Sequence, residues 1–114
     1  MRRECRKYLY DIQKACELLA EFARGKTLAD YSADPLLRSG VERQFEIAGE
    51  ALSQMLRLEP GLSEAISDSK RIIAFRNILI HGYSAISNEV VWDVLRIHLP
   101  RLRKEVESLL EGSG

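Results

Sequence analysis

Ile72-Ile73-Ala74-Phe75-Arg76-Asn77-Ile78-Leu79-Ile80-His81-Gly82-Tyr83 is the most apolar run in the chain, and it carries an arginine, an asparagine, a histidine and a tyrosine. An apolar run of this length goes to an interior or an interface. A guanidinium does not follow it there alone, because desolvating an unpaired charge costs on the order of several kcal/mol. Arg76 is therefore either paired inside the fold or set beside a cleft. Wound as a helix over about 70–81, the run is apolar nearly all round, which predicts a helix central in a bundle or buried between copies. Gly82 and the segment 83–87 end it.

The segments on either side are helical too. From about Arg3 to Arg24, Cys5, Leu9, Ile12, Cys16, Leu19 and Ala23 recur at three- and four-residue spacing, one apolar stripe that also takes in Tyr8. Gly25 is placed to cap that helix. Asp34-Pro35 is a start signal, an N-cap aspartate followed by proline at the first helical position. The helix it opens runs to about Leu58 and stops before Pro60-Gly61, with Val41, Phe45, Ala48, Leu52 and Met55 facing inward. Thr27–Tyr31 allows a further helical turn. Ser87 is an N-cap for a last helix along Val91, Val94, Leu95, Leu102 and Val106, which Pro100 should kink or divide because it lacks an amide hydrogen. No strand alternation or hairpin signal occurs. These features predict an all-α, up-and-down four-helix bundle with a short extra turn.

The second helix presents Glu42, Glu46 and Glu50 at four-residue steps. Like charges at that spacing repel mildly. Either they form a solvated acidic face, or one of them neutralises a basic residue on a facing helix. Arg76 is the obvious candidate, and Glu46 or Glu50 the expected partner. Gly40 and Gly49 cost that helix about 1 kcal/mol each against alanine, and they would permit another helix to pack closely.

Composition bounds the rest. The 114 residues predict one domain, 46% apolar and 30% charged, with a formal net charge of zero. A strongly basic nucleic-acid binder is not indicated by the total, so any basic surface must be local. Cys5 and Cys16 on one helix lie about 16 Å apart, too far for a disulfide. They read as small apolar fillers, and free thiols predict a cytoplasmic location. Met1-Arg2-Arg3-Glu4-Cys5-Arg6-Lys7 lacks the apolar core of a signal peptide. No stretch approaches the roughly 20 apolar residues of a membrane span. His81 and His98 are the only histidines, which argues against a histidine-rich metal site. His98 falls on the apolar side of the last helix and Trp92 near its start, so both read as packing residues.

Arg76, Asn77, His81 and Tyr83 are the residues with chemistry to offer. On an unbroken helix Asn77 and His81 share one face and Arg76 and Tyr83 another, while Arg76 and His81 point well apart. Acting together, they require the helix to end near Gly82 or a second copy to supply part of the site. These side chains suit metal-free RNA cleavage. A histidine moves a proton to or from the reacting oxygens, an arginine holds the scissile phosphate, an asparagine positions it, and a tyrosine stacks a base. Lys70 and Arg71 could add phosphate contacts, gathered as two sets in a dimer.

Phe75-Arg76-Asn77-Ile78-Leu79-Ile80-His81-Gly82-Tyr83 resembles the Arg-x4-His-x-Tyr motif of HEPN-domain proteins, specifically the HepT-like toxin family. Val41-Glu42-Arg43-Gln44-Phe45-Glu46-Ile47-Ala48-Gly49-Glu50-Ala51 resembles that family's second-helix signature, and Val90-Val91-Trp92 with Leu99-Pro100 its fourth-helix pattern. The resemblance spans about Tyr10 to Arg103. It implies a metal-independent ribonuclease toxin without a cofactor, homodimeric across the motif helix, acting on RNA such as tRNA or mRNA. It also implies Arg76 and His81 as the catalytic pair. The partner it implies is a minimal nucleotidyltransferase antitoxin able to transfer AMP to Tyr83. The alternative is a non-catalytic helical dimer that binds a nucleotidyltransferase or a nucleotide, with Arg76 held in an ion pair by Glu46 or Glu50.

Overall fold

The computed structural model describes residues 1–81 and 86–112, and every regular element among them is helical. They are α1 (Arg3–Ala23), α2 (Leu28–Ala33), α3 (Pro35–Leu58), a 3-10 turn (Pro60–Ala65), α4 (Ser69–His81), α5 (Asn88–Asp93), a π-helical turn (Val94–His98) and α6 (Leu99–Gly112). The predicted all-α bundle is the observed architecture, α5 and α6 forming one rod through the π turn. α1 packs along α3, α3 along α4, and α1 along α6. The start of α1 meets the end of α3, where the Arg2 amide donates to Glu59 and the Cys5 thiol to the Met55 carbonyl.

The caps sit where the side chains dictate. Asp34 accepts from the Leu36 and Leu37 amides and Pro35 opens α3. Thr27 and Asp30 form a reciprocal capping box that starts α2. Ser87 accepts from the Val90 amide at the head of α5. Gly25 adopts φ 72° just past α1, a conformation that side-chain-bearing residues resist. The core is built from Leu9, Ile12, Leu19, Phe45, Leu52, Met55, Ile72, Leu102 and Val106. Tyr31 and Trp92 stack across α2 and α5 with ring centroids 5.5 Å apart, so Trp92 packs the bundle as expected. Cys5 and Cys16 are buried and unbridged, and burial pushes the Cys16 thiol up to about 12.

Pro100 does not break the last helix. The preceding turn widens so that the Leu99 amide reaches back to Val94, five residues rather than four. A π turn of this kind takes up the missing donor without a break in the rod. Beside it lies a polar knot. Asp68 is buried at the head of α4 and accepts two bonds from Arg101 of α6, at 2.9 and 3.0 Å. Arg71 approaches to 3.7 Å. His98 Nδ1 lies 3.4 Å from the same carboxylate without hydrogen-bond alignment. The knot fixes the start of α4 against α6, and it gives His98 a structural place rather than a functional one.

Of the two places expected for α4, central in the bundle or between copies, the single chain excludes the first. Within one chain it is not central: only Ser69, Ile72 and Phe75 are buried. Ile78 and Ile80 stand 55% and 44% exposed. The apolar surplus that suggested a buried helix is turned outward.

Candidate active site

Arg76 lies against α3 at the point where α3 has no side chain. A Cβ built on Gly49 would overlap Arg76 Cβ and approach its Cγ to 2.7 Å. Both are stem atoms that cannot swing aside. The absent methyl lets the aliphatic stem of Arg76 lie directly on the α3 backbone, and the guanidinium emerges beside the next residue, Glu50. Arg76 Nη2 donates to Glu50 Oε2, and Nη1 donates to Asn77 Oδ1 at 2.8 Å. Gln54, one turn along α3, donates from Nε2 to Glu50 Oε1 at 2.9 Å. The expected pairing of Arg76 with Glu46 or Glu50 is thus met by Glu50. Glu46 is engaged by Arg43 of its own helix at 3.3 Å.

The Gln54 bond, followed by the neighbouring Arg76 and Arg57 charges, holds Glu50 below the usual glutamate range against the opposing effect of its burial. A lowered folded-state value means that the pair's contribution is present above the unfolded-state value. It is lost as pH falls through the lower, folded one. Arg76 Nε is buried with no partner among the described residues. The arginine borders a cleft of about 290 Å³ walled by Tyr8, Ile47, Ala51 and Ile80 and edged by Asp11 and Glu46.

His81 ends α4 and is exposed. Lys70, Ala74, Asn77 and His81 follow one another at intervals of four, three and four and are all exposed, one continuous stripe about 16 Å long. The stripe runs between two recesses. On one side Arg76 and Ile80 face the cleft. On the other, Arg71, Ala74, Phe75 and Ile78 line a shallow apolar groove with Ile86, Val90 and Val94. The structure therefore joins Arg76 to Asn77 directly and puts His81 on the Asn77 stripe. It keeps Arg76 and His81 on different aspects of α4, as the helical spacing requires. Lys70 and Arg71 are exposed at the far end of the helix, and Arg71 leans on Asp68. Tyr83 lies outside the described residues.

Gln54 escaped the sequence reading. Its signal was its position four residues after Glu50, the spacing at which helical side chains meet.

Residues 12–109 match the family described as ribonuclease HepT-like. The chain belongs to the HepT-like ribonuclease family. Ribonuclease is the enzyme class that comes with that membership. A protein of Caldanaerobacter subterraneus subsp. tengcongensis named "Putative RNase" is 31% identical over 93% of this chain and 94% of its own. The "Probable ribonuclease HepT" of Thermococcus cleftensis is 31% identical, covering 96% of this chain and 98% of its own. A Methanocaldococcus jannaschii protein named "Gamma-glutamylcyclotransferase and putative RNase" is 30% identical over 97% of this chain, which spans 50% of that longer relative. No solved structure matches.

The contact between Gly49 and Arg76 predicts the effect of one methyl group. Gly49→Ala improves helix propensity by about 1 kcal/mol but overpacks the α3–α4 junction at a cost of about 1–3 kcal/mol. The expected result in urea denaturation is an unchanged slope and a midpoint that is no higher than that of the wild type, the net loss running up to about 2 kcal/mol. A higher midpoint contradicts the close approach.

Proposed function

We propose that this chain is the toxin ribonuclease of a toxin–antitoxin pair, cutting RNA without a metal ion in a groove shared by two copies, with Arg76 and His81 as the catalytic pair. The observation that carries the reading is the pairing of family membership with a solvent-facing motif helix on which Arg76 and His81 are both present and His81 is open to a substrate. In the proposed reaction the ribose 2′-oxygen attacks the adjacent phosphorus and loses its proton to an imidazole. The bond from phosphorus to the 5′-oxygen breaks, and that oxygen leaves with a proton given by an imidazolium, so that the products are a 2′,3′-cyclic phosphate and a 5′-hydroxyl. Arg76 takes the phosphate oxygens, where a cation is worth most as charge develops. Asn77, Lys70, Arg71 and Tyr83 bind the strand, a tRNA or an mRNA.

Dimerisation is supported by exposed apolar side chains of α4 and the adjoining α5 on both flanks of the polar stripe. Ile78, Ile80 and Val90 give a surface that water does not favour, and the adjoining groove is lined mainly by Ala74, Phe75, Ile86 and Val94. A two-fold axis beside α4 brings a second His81 and a second Arg76 to one groove. Arg76 of one copy can then act with a histidine that its own helix turns away from it. Two copies of Lys70 and Arg71 also concentrate positive charge that the chain as a whole lacks. The antitoxin of the proposal is a minimal nucleotidyltransferase that adds AMP to Tyr83, placing bulk and negative charge in the RNA path. One observation favours the rival reading of an idle binding module: Glu50 already neutralises Arg76.

Cleavage of total RNA in EDTA decides between them. The wild type is expected to cut, and His81→Ala to lose at least about a hundredfold in rate, the usual scale of general acid–base catalysis. Cutting that survives in the variant, or no cutting by unmodified wild type, contradicts the enzyme reading. Sedimentation at micromolar concentration is expected to give a dimer for the wild type and a monomer for Ile78→Glu; a monomeric wild type contradicts the shared groove. Incubation with the partner enzyme and ATP is expected to add whole AMP units to the mass, lost in Tyr83→Phe. Modification that persists in that variant moves the acceptor elsewhere.

A further inference from the structure

We infer that Glu50 is a positioning residue for Arg76, backed by Gln54, and that its carboxylate sets the guanidinium in the orientation that meets the phosphate. The inference rests on the ribonuclease reading above.

Arginine has four rotatable side-chain torsions and loses about 2 kcal/mol of rotamer freedom when fixed. Arg76 is fixed at three points. Its stem lies on Gly49, its Nη2 is held by Glu50 of α3, and its Nη1 is held by Asn77 of its own helix. Glu50 is fixed in turn, because its second oxygen accepts from Gln54. A guanidinium anchored on both Nη atoms cannot rotate about its own axis. The hydrogens left on those nitrogens therefore point in set directions. A bidentate phosphate contact needs that kind of planar fork.

A purely stabilising ion pair does not require this arrangement. The Glu50 side chain is 45% exposed and that of Arg76 22%, so water screens part of what the pair contributes to the fold, and unfolding has to be followed beside activity. Arg43 and Glu46 satisfy each other nearby without the help of a third residue, which is what a plain surface pair on α3 looks like. The Arg76 set instead recruits two side chains from α3 and one from α4. Gly49 and Glu50 are adjacent in sequence, so the residue that admits the arginine stem and the residue that holds its head come as a unit.

The arrangement has an electrostatic cost. A carboxylate beside Arg76 lowers the local potential and weakens ground-state attraction for a phosphate. Orientation and attraction should therefore separate on mutation. A role confined to stability would not separate them.

The test is steady-state cleavage of an RNA oligonucleotide in EDTA by wild type, Glu50→Ala and Glu50→Gln, with thermal unfolding followed for all three. Glu50→Ala is expected to lose about tenfold or more in kcat, the scale of a misoriented catalytic group. Its KM should fall severalfold, because a negative charge has left the phosphate site. Glu50→Gln keeps an acceptor oxygen. It is expected to hold kcat within about threefold of wild type while sharing the fall in KM. Wild-type kcat in Glu50→Ala overturns the inference. So does a loss of activity in both variants that follows a loss of folded protein, or an equal loss of kcat in both. A wild type that does not cut at all overturns the ribonuclease reading and this inference with it. Cutting by wild type with Glu50→Ala unaffected overturns this inference alone.

Discussion

The contact between the α3 backbone at Gly49 and the stem of Arg76 is the constraint on which the arrangement of the site depends. Helices normally meet through interdigitating side chains, which hold their axes about 8–10 Å apart. At this crossing one side chain is missing, and the stem of an arginine occupies the space. The exchange solves the problem posed by an arginine in an apolar run. Its methylenes are covered by α3 while its charged end reaches the cleft edge, where Glu50 and Asn77 receive it. Neither full burial nor full exposure would hold a guanidinium in a defined direction.

The same helix is secured at its head by a different device. The buried Asp68 carboxylate ties α4 to α6 through two bonds from Arg101. Between this knot and the Gly49 crossing the inner face of α4 has little freedom, and Ile72 and Phe75 fill the space between them, Phe75 edge-on to Phe45 with centroids 5.1 Å apart. The outer face is left bare. Lys70, Asn77 and His81 alternate there with Ala74, and the exposed isoleucines flank them. A helix held at both points, with polar and apolar residues side by side on its outer face, is suited to meeting a second copy and a polyanion together, and the proposed function uses both properties.

Much of this was legible in the chain. Asp34-Pro35, Gly25 and Ser87 marked helix ends because each does its work through local backbone chemistry, which sequence carries directly. The four-residue steps of Glu42, Glu46 and Glu50 placed an acid opposite Arg76, and Gly49 was recognisable as a point of close approach. What the chain did not disclose depended on three-dimensional context. The choice of Glu50 over Glu46 follows from Arg43 capturing Glu46, a matter of rotamers. The π turn before Pro100 spares the rod a break, and propensity does not predict it. Whether Ile78 and Ile80 turn into their own bundle or outward could not be read from the chain, because an all-round apolar helix has no periodic face. Asp68 gave no signal at all, since its three basic neighbours, Arg71, His98 and Arg101, come from α4, the π turn and α6.

The chemistry of the cut ends tests the central claim most directly. Arg76 and His81 offer a cation and a proton carrier, which are the requirements for attack by the neighbouring 2′-hydroxyl. RNA cut by the purified wild type should therefore carry 2′,3′-cyclic phosphate and 5′-hydroxyl termini, and replacing the 2′-hydroxyl at the cleavage position by hydrogen should abolish cutting. Termini with a 3′-hydroxyl and a 5′-phosphate, or cutting that persists at the deoxy position, would contradict the account.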